Sequence, residues 1–230
     1  MRRIAFFGGS FDPPHRGHLA IARAAADRFS LDRVLFAPVG LQPFKASAMQ
    51  ASFIDRYAMV ALATQHDARF LPSLADAPRM ENGVPQPNYT VDTLARLRAW
   101  FAAQQQEISL AVLVGADSWL SLASWRQPEQ LLAQADWIIA GRPGFSLEDV
   151  AAALPPNERA RCESNPVTGE FFLPRPDGGT TRIAVMADLN EEVSATALRE
   201  VMALQHAAGD LIHPAVADYI RKRRLYVACK

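Results

Sequence analysis

Three short apolar runs in this chain end on glycine: Ile4 to Phe7 at Gly8 and Gly9, Leu110 to Val114 at Gly115, and Trp137 to Ala140 at Gly141. A run that is apolar throughout reads as a buried strand, and glycine closes it with a tight turn. Helix-sized segments lie between the runs. Leu19, Ile21, Ala22 and Ala25 predict a helix that starts near Gly17. Ser52, with Asp55 three residues on, opens a second that reaches Gln65, and Val91, Leu94, Leu97 and Phe101 mark a third over 90–101. Val34 to Ala37 and Phe70 to Leu71 add two strands. Strands alternating with helices impose parallel pairing through right-handed crossovers. The expected fold is therefore α/β, a Rossmann-like doubly wound parallel sheet with helices on both faces. Such sheets hold ligands at the carboxyl ends of their strands, where all three glycine turns fall.

At 230 residues the chain can bury one good core, so a single domain over 1–230 is expected. Its formal charge of zero argues against a nucleic-acid partner, and no apolar stretch approaches the roughly 20 residues that cross a bilayer. A soluble protein with no membrane partner, in the cytoplasm, is the expectation. Cys162 and Cys229 sit in no CxxC pair and suggest neither a disulfide framework nor a metal site. Periodicity fails from Asn157 to Thr181, where Asp177 to Thr181 reads as an irregular loop or a hairpin. One helix near Ser194 and another from Pro214 to Arg223 close the chain. No GxGxxG follows a predicted strand and no GxxxxGK[ST] is present, which disfavours a dinucleotide dehydrogenase and a P-loop enzyme.

The chemistry concentrates in GGSFDPPHRGHL, Gly8 to Leu19. Gly8 and Gly9 let the backbone approach a ligand closely, and the helix that follows offers unpaired N–H groups and a partial positive charge. His15 and His18, three residues apart around Gly17, can both turn to one anion and donate to phosphate oxygens. Two other readings stay open for an isolated HxGH, an ordinary capping turn and a zinc site. Zinc lacks a third ligand nearby, since His66, His206 and His213 have no recognisable spacing, so no metal residues are expected.

The whole string resembles the signature of the nucleotidyltransferase superfamily that contains the HIGH-type synthetases and the small adenylyl- and cytidylyltransferases. Pro87 to Leu94 (PNYTVDTL), Gly115 to Trp125 (GADSWLSLASW) and Val193 to Arg199 (VSATALR) narrow the resemblance to its bacterial nicotinate mononucleotide adenylyltransferases. The resemblance implies transfer of AMP from ATP to nicotinate mononucleotide, giving nicotinate adenine dinucleotide and pyrophosphate in NAD biosynthesis. It implies catalytic roles for His15, His18, Lys45 and Arg199. Gly8, Gly9, Ser10, Phe11, Gly115, Asp117, Ser118 and Ser194 would hold ATP and its phosphates, and Tyr89, Thr90 and Trp125 the mononucleotide. Helices within 194–223 would complete the phosphate site. Mg2+ is expected mainly on the ATP phosphates, with no dedicated protein cage. Oligomeric state is not readable.

Plainer roles stand beside these. Asp12 is either part of the site or a structural cap, Arg56 either a phosphate ligand or a surface ion-pair partner, and Lys45 a phosphate ligand or a solvated side chain. Asp117 either accepts from ribose hydroxyls or caps the next helix, Ser194 and Arg199 are alternatively a plain cap and a solvated arginine, and Trp125 is alternatively core. Val193 stands where the family usually has Ile. Arg126 stands where some members have an aromatic residue, and it either adds a charge contact to the nicotinate carboxylate or phosphate or is solvated. Another acceptor, phosphopantetheine or nicotinamide mononucleotide, and a non-catalytic nucleotide-binding protein are the rival readings.

Overall fold

The strand-like runs pair in the order that their connections demand. In a computed structural model that describes residues 1–43, 49–142, 144–187, 198–199 and 209–227, one eight-stranded sheet has the order β3-β2-β1-β6-β7-β10-β9-β8. Its strands are β1 (Arg2–Gly9), β2 (Arg33–Pro38), β3 (Phe70–Pro72), β6 (Ile108–Gly115), β7 (Asp136–Ala140), β8 (Glu163–Asn165), β9 (Glu170–Pro174) and β10 (Thr180–Met186). A separate two-stranded hairpin joins β4 (Arg79–Glu81) to β5 (Val84–Gln86). The chain winds outward from β1 through β2 to β3, returns to β6 on the other side of β1, and winds outward again through β7 to β10. All of these neighbours pair in parallel. The winding direction reverses between β1 and β6, which opens a crevice at their carboxyl ends.

Two helices follow the expected bounds closely: α1 (Arg16–Arg28) and α2 (Phe53–Thr64). Ser52 caps α2, accepting from the Asp55 N–H at 3.1 Å while its hydroxyl donates to the Asp55 carboxylate at 2.6 Å. The third, α3 (Thr90–Ala103), starts at the capping position of Tyr89. Short helices α4 (Ala116–Trp119), α5 (Pro128–Leu132), α6 (Leu147–Ala152) and α7 (Pro156–Arg161) connect the later strands, and α8 (Pro214–Arg223) is the last. The helix expected near Ser194 falls outside the described residues except at Leu198 and Arg199.

Both faces of the central strands are buried. Ile4, Phe6, Leu110 and Val112 pack beneath Leu94 and Leu97 of α3, while Ala5, Phe7, Val34 and Phe36 pack beneath Ala22 and Ala25 of α1. Trp119 and Trp137 meet edge to face at 5.4 Å, and the Trp119 indole N–H donates to the Val150 carbonyl at 3.2 Å. A third cluster joins Met59 and Ala63 of α2 to Val216 and Ile220 of α8.

The sheet is not parallel throughout. β9 runs antiparallel to β10, and β8 antiparallel to β9. The stretch 157–181 thus holds a helix and two strands, and Asp177 to Thr181 belongs to a hairpin rather than a loose loop. Its periodicity is hidden because β8 and β9 form an edge with few buried positions. β10 escapes sequence reading because Arg182 interrupts its apolar pattern; that side chain is exposed and pairs with Glu170. Asn82 and Gly83, at φ 49° and 79°, make the turn of the β4–β5 hairpin, an Asn-Gly signal that the sequence did carry.

Candidate active site

Gly8 and Gly9 bring β1 to the carboxyl edge of the sheet. A Cβ on Gly8 would stand 2.9 Å from the ring of buried Phe6, so only glycine fits here. Phe11 then reverses the chain with its backbone in the left-handed region, φ 48°. That conformation costs on the order of 1 kcal/mol or more for a residue with a side chain. It is held because the ring is fully buried, in edge contact with Phe7 at 5.5 Å and His18 at 4.9 Å.

His15 takes the cap position of α1. No acidic residue occupies the first turn, so the helix itself does nothing to neutralise the positive charge of its N-terminus. The His15 and His18 rings lie 3.7 Å apart with planes inclined by 31°. The His15 backbone N–H donates to His18 Nδ1 at 3.2 Å, which assigns the proton of neutral His18 to Nε2, the atom left to donate to a ligand. His15 Nδ1 is buried and meets no hydrogen-bond partner among the described residues. Burial lowers the His15 pKa to about 4. Burial first, and the neighbouring His15 second, hold His18 well below 6.5. Both rings are therefore neutral at pH 7, and a polyanion at the helix terminus would favour the protonated forms that burial now disfavours.

Beneath this turn lies a buried frame. The Asp12 carboxylate accepts from the N–H groups of Gln50 (2.7 Å) and Ala51 (3.2 Å) and from the Tyr226 hydroxyl (2.5 Å). Asp12 is thus structural, though it ties together three distant segments rather than capping its own turn. Arg56 is no surface ion-pair partner: it is 2% exposed and donates to the carbonyls of Ser10 (2.7 Å), Val39 (2.7 Å) and Ala51 (3.3 Å). Arg199 reaches the same place from the far end of the chain, donating to the Asp12 carbonyl at 2.8 Å. Lys45 and Ser194 lie outside the described residues.

Across the crevice, Gly115 caps α4, so Asp117 is not the cap. A Cβ on Gly115 would meet nothing within 4 Å, leaving open space in front of it. Asp117 and Ser118 are exposed on this turn. The Asp117 carboxylate pairs with Arg142 at 2.7 Å, a basic residue just beyond β7 that sequence reading passed over. Its position after the carboxyl end of a strand was the available signal.

The remaining candidates meet at the start of α3. The Arg126 guanidinium lies over the Tyr89 ring, 4.7 Å from its centroid, and 3.6 Å from the Asp92 carboxylate. This draws Trp125 and Arg126 to Tyr89 and Thr90, and Arg126 is more than a solvated side chain. Trp125 is partly buried, donating from its indole N–H to the Ser121 hydroxyl at 3.1 Å. Nearby, buried Asp76 accepts a short hydrogen bond from Thr93, and its other oxygen stands 3.9 Å from where a Gly8 Cβ would be. Burial raises its pKa. A lone acid between short elements gave no sequence signal.

These groups supply N–H, imidazole and guanidinium donors, a set suited to phosphate oxygens rather than to a cation. The Asp12 oxygens are already engaged, and no cluster of three His, Cys, Asp or Glu side chains occurs among the described residues. No described helix is long and apolar enough to cross a membrane.

Comparison with known proteins matches residues 6–201 to the family model described as cytidylyltransferase-like. The chain is 38% identical over 224 residues to the "Probable nicotinate-nucleotide adenylyltransferase" of Chromobacterium violaceum, covering 97% of this chain and 98% of that protein. It is 35% identical over 225 residues to the protein of the same name in Gloeobacter violaceus, covering 97% and 96%. Among solved structures, it resembles Plasmodium falciparum nicotinic acid mononucleotide adenylyltransferase complexed with NaAD, with a TM-score of 0.69 at 16% identity over 98% of each chain, a likeness of fold.

Proposed function

The chain belongs to the cytidylyltransferase-like family, and from that premise we propose that it transfers AMP from ATP to nicotinate mononucleotide, forming nicotinate adenine dinucleotide and pyrophosphate for NAD biosynthesis. It is a nucleotidyltransferase. The observation that carries the reading is the contact of His15 with His18 at a helix N-terminus with no acidic residue in its first turn, at the crevice where the winding of the sheet reverses.

The acceptor phosphate has its second pKa near about 6 and is largely a dianion at neutral pH, so it needs no general base. Its oxygen forms a bond to the α-phosphorus as the bond from that phosphorus to pyrophosphate oxygen breaks. The task left to the protein is to align two anions and stabilise the charge that moves to the leaving group. Gly8, Gly9, Ser10, Phe11 and the start of α1 would seat the phosphates. His15 and His18 would donate to them, with Arg199 beside Asp12 and with Lys45 and Ser194 completing the set. Gly115, Asp117 and Ser118 would receive the nucleotide across the crevice. Trp125 would stack on the pyridine, with Tyr89 and Thr90 at its carboxylate. The segment 194–223 would thus act in one catalytic unit with the N-terminal turn. Nucleotidyltransferases of this kind generally use Mg2+. Here it would arrive on the ATP phosphates and shield their charge, because the chain's own donors suit the anion. With ATP as donor, the cytoplasm would be the compartment of the reaction.

The test is to incubate the protein with ATP, Mg2+ and nicotinate mononucleotide and to follow dinucleotide by chromatography and pyrophosphate by a coupled assay. Equal amounts of both products are expected. ATP binding with no pyrophosphate would make the chain a nucleotide sensor, and turnover with phosphopantetheine instead would move it to another branch of the superfamily.

A further inference from the structure

The sheet is covered unevenly. On one face, Val34, Phe36 and Phe70 are buried with α1 and α2. On the other, the strand period and the register Ile4↔Arg33, Phe6↔Leu35 and Leu35↔Leu71 align Arg2, Ile4, Arg33, Leu35 and Leu71 on a single surface. Here Leu35 is half-buried against the α3 cluster, and Leu71, Leu74 and Trp100 are 40%, 59% and 55% exposed. Between them runs a groove of about 710 Å³, floored by Ile4, Leu35, Leu97 and Phe101.

The charged side chains that line this groove are Arg2, Arg33 and Arg96, with no carboxylate among its lining residues. None of the three forms an ion pair among the described residues, whereas ten other basic residues do. Arg96 is partly matched, donating to the Ala75 carbonyl and the Thr93 hydroxyl with Asp76 and Asp92 nearby. Apolar area thus coincides with two arginines, Arg2 and Arg33, that face no carboxylate in the groove. A second copy of this chain is a poor occupant, because a self-complementary interface through the groove would offer no lining acid to its own arginines. The volume falls within the range of small-molecule sites, roughly 300–1,000 Å³.

We infer that this groove binds an anionic amphiphile with a single aliphatic chain, the chain lying between α3 and β2–β3 and the head group held by Arg2 and Arg33. Register sets Arg33 beside Ile4, and Arg2 lies two residues before Ile4 on the same face, so both arginines stand at the amino end of the groove, diagonal to each other, where their forked guanidinium groups would converge on one carboxylate. The other end reaches Thr93 and Ala75, beside Asp76.

Titration calorimetry with sodium decanoate below its micellar concentration tests the site, with 1-decanol as the uncharged probe. One decanoate is expected to bind per chain, saturably, with decanol weaker by about tenfold or more. The double variant Arg2→Gln/Arg33→Gln should remove that difference, and Leu74→Asp, at an exposed position, should weaken both probes. Circular dichroism checks that each variant is folded. Absence of saturable binding, equal binding of acid and alcohol, or indifference to the arginine pair would overturn the proposal. So would a concentration-dependent dimer in sedimentation velocity that Leu74→Asp abolishes, since that would give the groove to a second copy.

Discussion

His18 has one ring nitrogen tied to the backbone and the other left to donate, which makes it the sharpest test of the site. If its contact strengthens as charge moves to pyrophosphate, His18→Ala should lower kcat by about 10²–10³-fold while weakening ATP binding far less. Steady-state kinetics with a direct ATP-binding measurement decides this; undiminished kcat would remove His18 from catalysis. His15 adds a pH dependence. Its folded pKa of about 4 lies below the ordinary 6.5, so between those values the unfolded chain binds a proton that the folded chain does not. Its contribution is present above pH 6.5 and is lost as pH falls toward 4, by up to about 3 kcal/mol. Urea denaturation across that range should show the loss, and His15→Gln should lessen it, with buried His18 supplying the remainder. Bound ATP should oppose it, and calorimetry in buffers of different ionisation enthalpy should detect proton uptake on binding near pH 6.5. Arg126 makes a third test at this scale. Stacked on Tyr89, it sets a positive charge beside the proposed carboxylate subsite. Arg126→Ala should lower the acid-to-amide ratio of kcat/KM; an unchanged ratio leaves it a packing residue.

Among the elements, α2 does more than cover the sheet. Arg56, near its start, donates its guanidinium hydrogens to carbonyls from three separate segments, including Ser10 of the turn after β1. Arg56→Met should cost about 3–5 kcal/mol in urea denaturation, since it strands three carbonyls in a buried place. Arg56→Lys should recover little, because one ammonium cannot reproduce the fork. A loss below 1 kcal/mol for either would mean that water replaces the side chain. The same element explains what sequence reading missed. An arginine on a helix looks like a solvated charge until the fold wraps other segments around it. By contrast, the bounds of α1, α2 and α3 were readable from apolar spacing and, for α2, from the Ser52–Asp55 cap.

For the molecule as a whole, the two ends of the chain meet beneath the site. Tyr226 donates to Asp12, and Tyr219 and Arg223 of α8 both donate to Asp55 of α2. Ending the chain at His213 would remove these donors together with Val216 and Ile220 from the third apolar cluster. That truncation should fail to fold cooperatively. Tyr226→Phe, which keeps the ring, should fold with a loss of about 1–3 kcal/mol and should raise KM for ATP more than for the mononucleotide. Equal KM changes would confine Tyr226 to general stability.

What the sequence determined by itself was whatever is local: the buried strands that end on glycine, the helix spacings, the glycine turn with its two histidines, and the signatures that carry the family resemblance. Periodicity and turn chemistry are encoded within a few residues and need no partner to be read. Tertiary structure alone decided the rest. It set the tautomer and neutrality of the histidine pair, the burial of Arg56, the three-way anchorage of Asp12, the pairing of Asp117 with Arg142, the antiparallel edge, and the uncovered arginine-lined face. Each depends on desolvation or on a partner tens of residues away, and a side chain's charge, exposure and hydrogen bonds are set by what the fold brings to it.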